Sequence, residues 1–103
     1  MDKGTEKKVR LFAETLRKAF QIERIILFGS RARGTHRRGS DYDFILVSPD
    51  FSKMKFTERI SKIYPYWKFN DTIEPLCYTP EEFERLRNQI TIVNEAVREG
   101  VQV

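Results

Sequence analysis

The sequence is poor in the residues that make disulfides and zinc sites. Cys77 and His36 are the sole cysteine and histidine among 103 residues. No internal disulfide can form, and the two cannot build a zinc site between them. No run of about 18 apolar residues is present to cross a bilayer as a helix. The opening segment MDKGTEKKVRLF lacks the apolar stretch and small-residue cleavage pattern of a secretion signal. A reducing cytoplasm is the expected compartment, with no membrane partner. Repeats, low-complexity tracts and linkers are also missing. One folded domain over residues 1–103 is therefore expected, with a single modest core.

What is present is charge. Lysine and arginine number 19 against 15 acidic residues, a formal net charge of +4. That mild excess suits RNA, DNA, nucleotides or an acidic protein surface equally. Its distribution is more informative, because Arg31, Arg33, Arg37 and Arg38 crowd into one short window.

Apolar spacing predicts an amphipathic helix from Glu6 to Phe20, with Val9, Phe12, Ala13, Leu16 and Phe20 on one face. IILF (Ile25 to Phe28) reads as a short buried strand ended by Gly29, and YDFILV (Tyr42 to Val47) as a second. Met54 to Tyr66 reads as a helix with Phe56, Ile60 and Ile63 along one side. TIEPLCY (Thr72 to Tyr78) reads as a third strand, placed at a sheet edge by Pro75. Thr79, Pro80 and Glu82 supply an N-cap, a first-turn proline and a capping box for a last helix running to about Glu99. This order predicts an α/β (α+β) domain, a small mixed sheet flanked by helices.

The chemistry concentrates in FGSRARGTHRRGSDYDF, Phe28 to Phe44. On a strand, Asp41 and Asp43 point to one face, roughly 7 Å apart. An isolated D-x-D is commonly just a solvated strand mouth. Here Phe44, Ile45, Leu46 and Val47 follow at once, so Asp43 enters a strand that should be buried, where an unpaired charge is expensive. Mg²⁺ or Mn²⁺ would resolve the conflict, since both favour oxygen ligands. Upstream, a Gly-Ser turn opening a short helix would offer N–H groups, a hydroxyl and a helix dipole to an anion. Taken alone, Gly29 is a plain turn glycine, and Arg31 and Arg33 are solvated charges. Together the two halves would hold a triphosphate and its metals.

Gly29-Ser30, ten intervening residues, then Asp41-Tyr42-Asp43 resembles the G-S-x(n)-D-x-D signature of the DNA polymerase β-like nucleotidyltransferase superfamily. The fuller GSRARGTHRRGSDYDF is similar to its minimal nucleotidyltransferase (MNT) group, and the similarity extends to YTPEEFERL. The resemblance implies that fold and a two-metal transfer of a nucleoside monophosphate, AMP from ATP, onto an acceptor hydroxyl. Asp41 and Asp43 would hold two Mg²⁺ ions. Gly29 and Ser30 would cradle the β- and γ-phosphates, and Arg31 or Arg33 would neutralise the leaving pyrophosphate. The family draws a third acid from a later strand. Asp71 and Glu74 are the candidates, and the position five residues before the threonine of TPEEF selects Glu74. MNT proteins also pair with a HEPN-domain protein as antitoxins, transferring AMP to a tyrosine of that RNase, so a HEPN partner is implied.

Two other classes compete with an enzyme. A binding module that neutralises a partner by contact would not need Asp41, Asp43 and an acid at position 74. An RNA binder using Arg31 to Arg38 would be expected to interleave aromatics with the basic run, and this one does not. Direct nucleic-acid binding is therefore not expected. His36, Arg37 and Arg38 read as solvated or partner-facing, and Cys77 as a small buried hydrophobe. Oligomeric state and base preference are left open.

Overall fold

The first helix, α1 (Lys3–Ala19), starts earlier than its apolar spacing predicts, because Asp2 caps it. Asp2 Oδ1 accepts the Thr5 N–H at 2.8 Å. The computed structural model describes residues 1–103. It continues through β1 (Arg24–Phe28), a single helical turn α2 (Ser30–Arg33) and β2 (Tyr42–Val47). A crossover follows, containing α3 (Phe56–Ile63) between two 3-10 turns, Pro49–Lys53 and Tyr64–Tyr66. The chain then forms β3 (Ile73–Tyr78), α4 (Pro80–Arg87), α5 (Ile92–Glu99) and β4 (Val101–Gln102).

The sheet order is β3-β2-β1-β4. β1 pairs antiparallel with β2 and β4, and β2 pairs parallel with β3. This is the mixed sheet expected, with Pro75 on an edge strand where its missing N–H removes no necessary ladder bond. Strand alternation splits the core in two. Ile25, Leu27, Tyr42, Phe44, Leu46, Ile73 and Cys77 face Val9, Phe12, Ala13 and Leu16 of α1. Ile26, Ile45 and Val47 face Phe83 of α4 and Val93 and Ala96 of α5. Each large side chain so buried contributes about 1.5–3 kcal/mol. Trp67 joins the α1 side, 5.0 Å from the Tyr42 ring, and its Nε1–H donates to the Asp71 carbonyl at 2.7 Å.

Three expectations need correction. The last helix does not run unbroken from Thr79 to Glu99. The predicted capping box starts α4, but a turn at Asn88 to Thr91 interrupts it. The Thr91 hydroxyl donates to the Leu86 carbonyl at 2.7 Å and accepts the Asn94 N–H at 3.2 Å, so it ends one helix and caps the next. The break lets both segments lay their apolar faces on one side of the sheet.

The helix read from Met54 to Tyr66 is shorter, and its buried side is different. Phe56 is exposed, whereas Arg59 and Ile63 are buried. Arg59 donates to the carbonyls of Met54 and Cys77 and, at 2.6 Å, to Glu82 Oε1.

The fourth strand was not expected. Gly100 permits it, since a Cβ there would lie 2.5 Å from the Ala96 carbonyl and 2.6 Å from Ile26 Cγ2. No helix is long and apolar enough to cross a membrane.

Candidate active site

β2 delivers Asp43 to the sheet face shared with Ile45 and Val47, because alternate side chains point to opposite faces. Two neighbouring segments converge on it. On one side the parallel register sets Glu74 of β3 directly opposite Asp43. On the other, Phe28 pairs with Asp43, so the next residue, Gly29, lies against its carboxylate. Gly29 has φ +76° and ψ −158°, and a Cβ there would run into Asp43 Oδ2. Only glycine both adopts that conformation and admits the carboxylate.

Ser30 begins α2, whose first N–H groups have no intrahelical partner. The turn is closed by Arg33 N–H to the Gly29 carbonyl at 3.2 Å and Thr35 N–H to the Ser30 carbonyl at 3.1 Å. The Gly29–Ser30 turn and the acidic residues thus meet at the Gly29–Asp43 contact.

Electrostatics mark the same spot. Burial pushes the Asp43 carboxyl above its ordinary range, and the negative charges of Glu74 and Asp41 push it further. Arg33 acts in the opposite direction. Asp41 sits just before β2, and its Oδ1 accepts the Thr72 hydroxyl. Glu74 is exposed. No three of the carboxylate, imidazole or thiol groups are already drawn tightly enough together to hold an ion. The donor set still fits a hard divalent cation, being all oxygen and mutually repulsive.

The other candidates separate clearly. Asp71 is occupied elsewhere: Lys8 Nζ lies 2.6 Å from its Oδ2, and that bond holds its carboxyl below the ordinary range. Arg33 is exposed beside the site. Arg31, expected to face phosphate, is instead 8% exposed and directed at the Ser40 carbonyl, the Tyr42 ring and Asp71. His36 is not simply solvated, since its Nε2 lies 3.2 Å from Asp2 Oδ2. Cys77 is fully buried, and burial pushes its thiol up to about 12.

A cavity of about 210 Å³ opens beside the turn, lined by Phe28, Gly29 and Arg33 and by Ile92, Glu95, Ala96 and Glu99 of α5. Sequence reasoning missed these α5 residues, because a single long last helix gave no reason to bring them near Gly29.

The arrangement brings a glycine turn at the start of a helical turn against a group of carboxylates, and comparison with known proteins gives the following. Residues 9–98 match the family model described as nucleotidyltransferase domain. A Methanocaldococcus jannaschii protein provisionally named protein adenylyltransferase MJ0141 is 28% identical over 85 residues, covering 81% of this chain and 80% of that protein. The fold is shared with a provisionally assigned nucleotidyltransferase from Sulfolobus solfataricus, at TM-score 0.58 and 21% identity over 99% of this chain and 87% of the other. It is also shared with a chain of a toxin–antitoxin crystal structure containing AMP-PNP, at TM-score 0.59 and 23% identity, covering 90% and 69%.

Proposed function

The chain belongs to the nucleotidyltransferase domain family, and from that premise we propose that it moves AMP from ATP onto a protein hydroxyl. The observation that carries this reading is the seating of Asp43 between Gly29 and Glu74, which joins a phosphate turn to an acidic group. Asp41 and Asp43 would hold two Mg²⁺ or Mn²⁺ ions, with Glu74 as a third carboxylate ligand. Such ions supply Lewis-acid stabilisation of an in-line displacement when bound.

The chain's own residues do the rest. Gly29 and Ser30 present N–H groups and a hydroxyl to the β- and γ-phosphates. Arg33, exposed beside them, pairs with charge growing on the pyrophosphate as the α-phosphorus to bridging-oxygen bond breaks. The acceptor hydroxyl gives its proton to solvent water and forms the new bond to the α-phosphorus, while pyrophosphate leaves. Glu74, at the exposed edge strand, is the carboxylate that an incoming protein side chain meets first.

The acceptor we propose is a tyrosine of a HEPN-domain toxin, with this chain as its antitoxin. Support comes from the MNT-like motif, from the protein adenylyltransferase name of the M. jannaschii relative and from the toxin–antitoxin fold neighbour. The test uses ATP labelled at the α- or the γ-phosphate, Mg²⁺ and a HEPN protein encoded beside this chain. Label from the α-position should appear on the HEPN protein with wild type and vanish with Asp41→Asn. Transfer of γ-label, or equal labelling by wild type and variant, would overturn the proposal.

A further inference from the structure

We infer that Arg31 is a positioning residue that fixes the spacing between the phosphate-binding turn and the metal-binding aspartates. The inference rests on the transfer site proposed above. Arg31 directly follows Ser30, and Ser40 directly precedes Asp41. The Arg31 guanidinium joins the two points, with Nε and Nη2 both donating to the Ser40 carbonyl, at 3.2 and 3.0 Å. One side chain thereby closes the base of the loop, a single residue from each half of the site.

The guanidinium is fixed from two further directions. Its central carbon lies 4.3 Å from the centroid of the Tyr42 ring, and Nη2 is 3.7 Å from Asp71 Oδ1. Asp71 is itself held by Lys8 of α1. Tyr42 belongs to the core on the α1 side of the sheet, whereas Asp43 points to the opposite side. Reaching a phosphate would oblige Arg31 to abandon the Ser40 carbonyl and its place on the ring.

The remaining loop bonds are local or lead away from the site. Arg37 N–H donates to Ser40 Oγ, Ser40 N–H donates to the Arg37 carbonyl, and His36 reaches Asp2. Arg31 is therefore the side chain that transmits the rigidity of the core to both halves at once. Lysine cannot replace it, having neither a planar face for the ring nor a two-nitrogen fork for the carbonyl. Chemistry depends steeply on such spacing, since a misplacement of about 1 Å can lose about a hundredfold in rate.

The test compares full-length wild type, Arg31→Lys, Arg31→Ala and Arg33→Ala. Binding of Mg²⁺ with AMP-PNP is read by calorimetry, and loop order by amide hydrogen exchange at Thr35 and Ser40. Arg31→Lys should speed exchange at both amides and weaken Mg²⁺–AMP-PNP binding by about tenfold or more. Low-millimolar guanidinium should restore binding to Arg31→Ala. Arg33→Ala should weaken binding while leaving exchange unchanged.

Asp71→Asn, which releases one side of Arg31 without removing it, should speed exchange by a smaller factor. Unchanged exchange in Arg31→Lys and Asp71→Asn would overturn the inference. So would a loss of binding in Arg31→Ala with wild-type exchange, which would make Arg31 a direct phosphate ligand. Failure of wild type to bind Mg²⁺–AMP-PNP would instead refute the transfer site, while the exchange data would still judge the clasp.

Discussion

Replacing Gly29 by alanine should damage stability and ligand binding through one carboxylate. At φ +76° and ψ −158° the backbone occupies a region open essentially to glycine alone, and alanine there costs about 1–3 kcal/mol. The new Cβ also overlaps Asp43 Oδ2, with Cγ only 3.4 Å away. Displacing that side chain from a packed position adds about 1 kcal/mol or more. The sum, about 2–4 kcal/mol, should lower the melting temperature by roughly 10 °C or more. The two contributions can be separated. In an Asp43→Ala background the collision disappears, so Gly29→Ala should cost only its backbone share. Urea melts of the four proteins followed by circular dichroism should therefore show a coupling of about 0.5–3 kcal/mol. Gly29→Ala alone should also bind Mg²⁺–AMP-PNP at least about tenfold more weakly, a loss of about 1.4 kcal/mol. Strictly additive costs, or wild-type binding by Gly29→Ala, would refute the close approach of turn and carboxylate.

Three further predictions concern the frame. The Arg59 hydrogen bond holds the Glu82 carboxyl below its ordinary value of 4.5, so the folded pKa lies below the unfolded one. Its stabilisation is complete above the unfolded pKa and is lost as pH falls through the folded pKa. Glu82→Gln should lose about 1–3 kcal/mol at neutral pH and show less acid sensitivity than wild type in pH-dependent melts; parallel curves would contradict this. Gly100→Ala should cost about 1–3 kcal/mol through contact alone, since φ −81° is ordinary, and a wild-type melting curve would exclude the crowding at Ala96 and Ile26. Cys77, fully buried and pushed up to about 12, should react with a thiol reagent no faster than the protein unfolds. A burst of modification in the native state would place it at the surface.

The parts legible in the sequence were those with a local cause. Two runs of apolar residues bounded by Gly29 and Pro49 marked β1 and β2, and Thr79-Pro80-Glu82 marked the start of α4. Pro75 placed β3 at an edge through a missing donor. The parts that escaped depend on partners far along the chain. Arg59 looks like a solvent-facing helix residue until Cys77 and Glu82 are brought to it. Arg31 and Arg33 look alike in sequence, yet only Arg31 meets the Ser40 carbonyl and an aromatic ring. Thr91 was hidden inside a continuous apolar period, and β4 is too short to show one. Between Asp71 and Glu74, the family spacing already favoured Glu74, and what lay outside the sequence was where the register puts each of them. The structure pairs Glu74 with Asp43 and gives Asp71 to Lys8.

The idea that phosphate turn and acidic group form one site is tested most directly by nucleotide binding with and without a divalent cation. Wild type should bind AMP-PNP tightly in Mg²⁺ and weakly after chelation, and Asp43→Asn should lose most of that difference. Equal binding by wild type in Mg²⁺ and in chelator, matched by Asp43→Asn, would show that the carboxylates and the Gly29–Ser30 turn do not act on a common ligand.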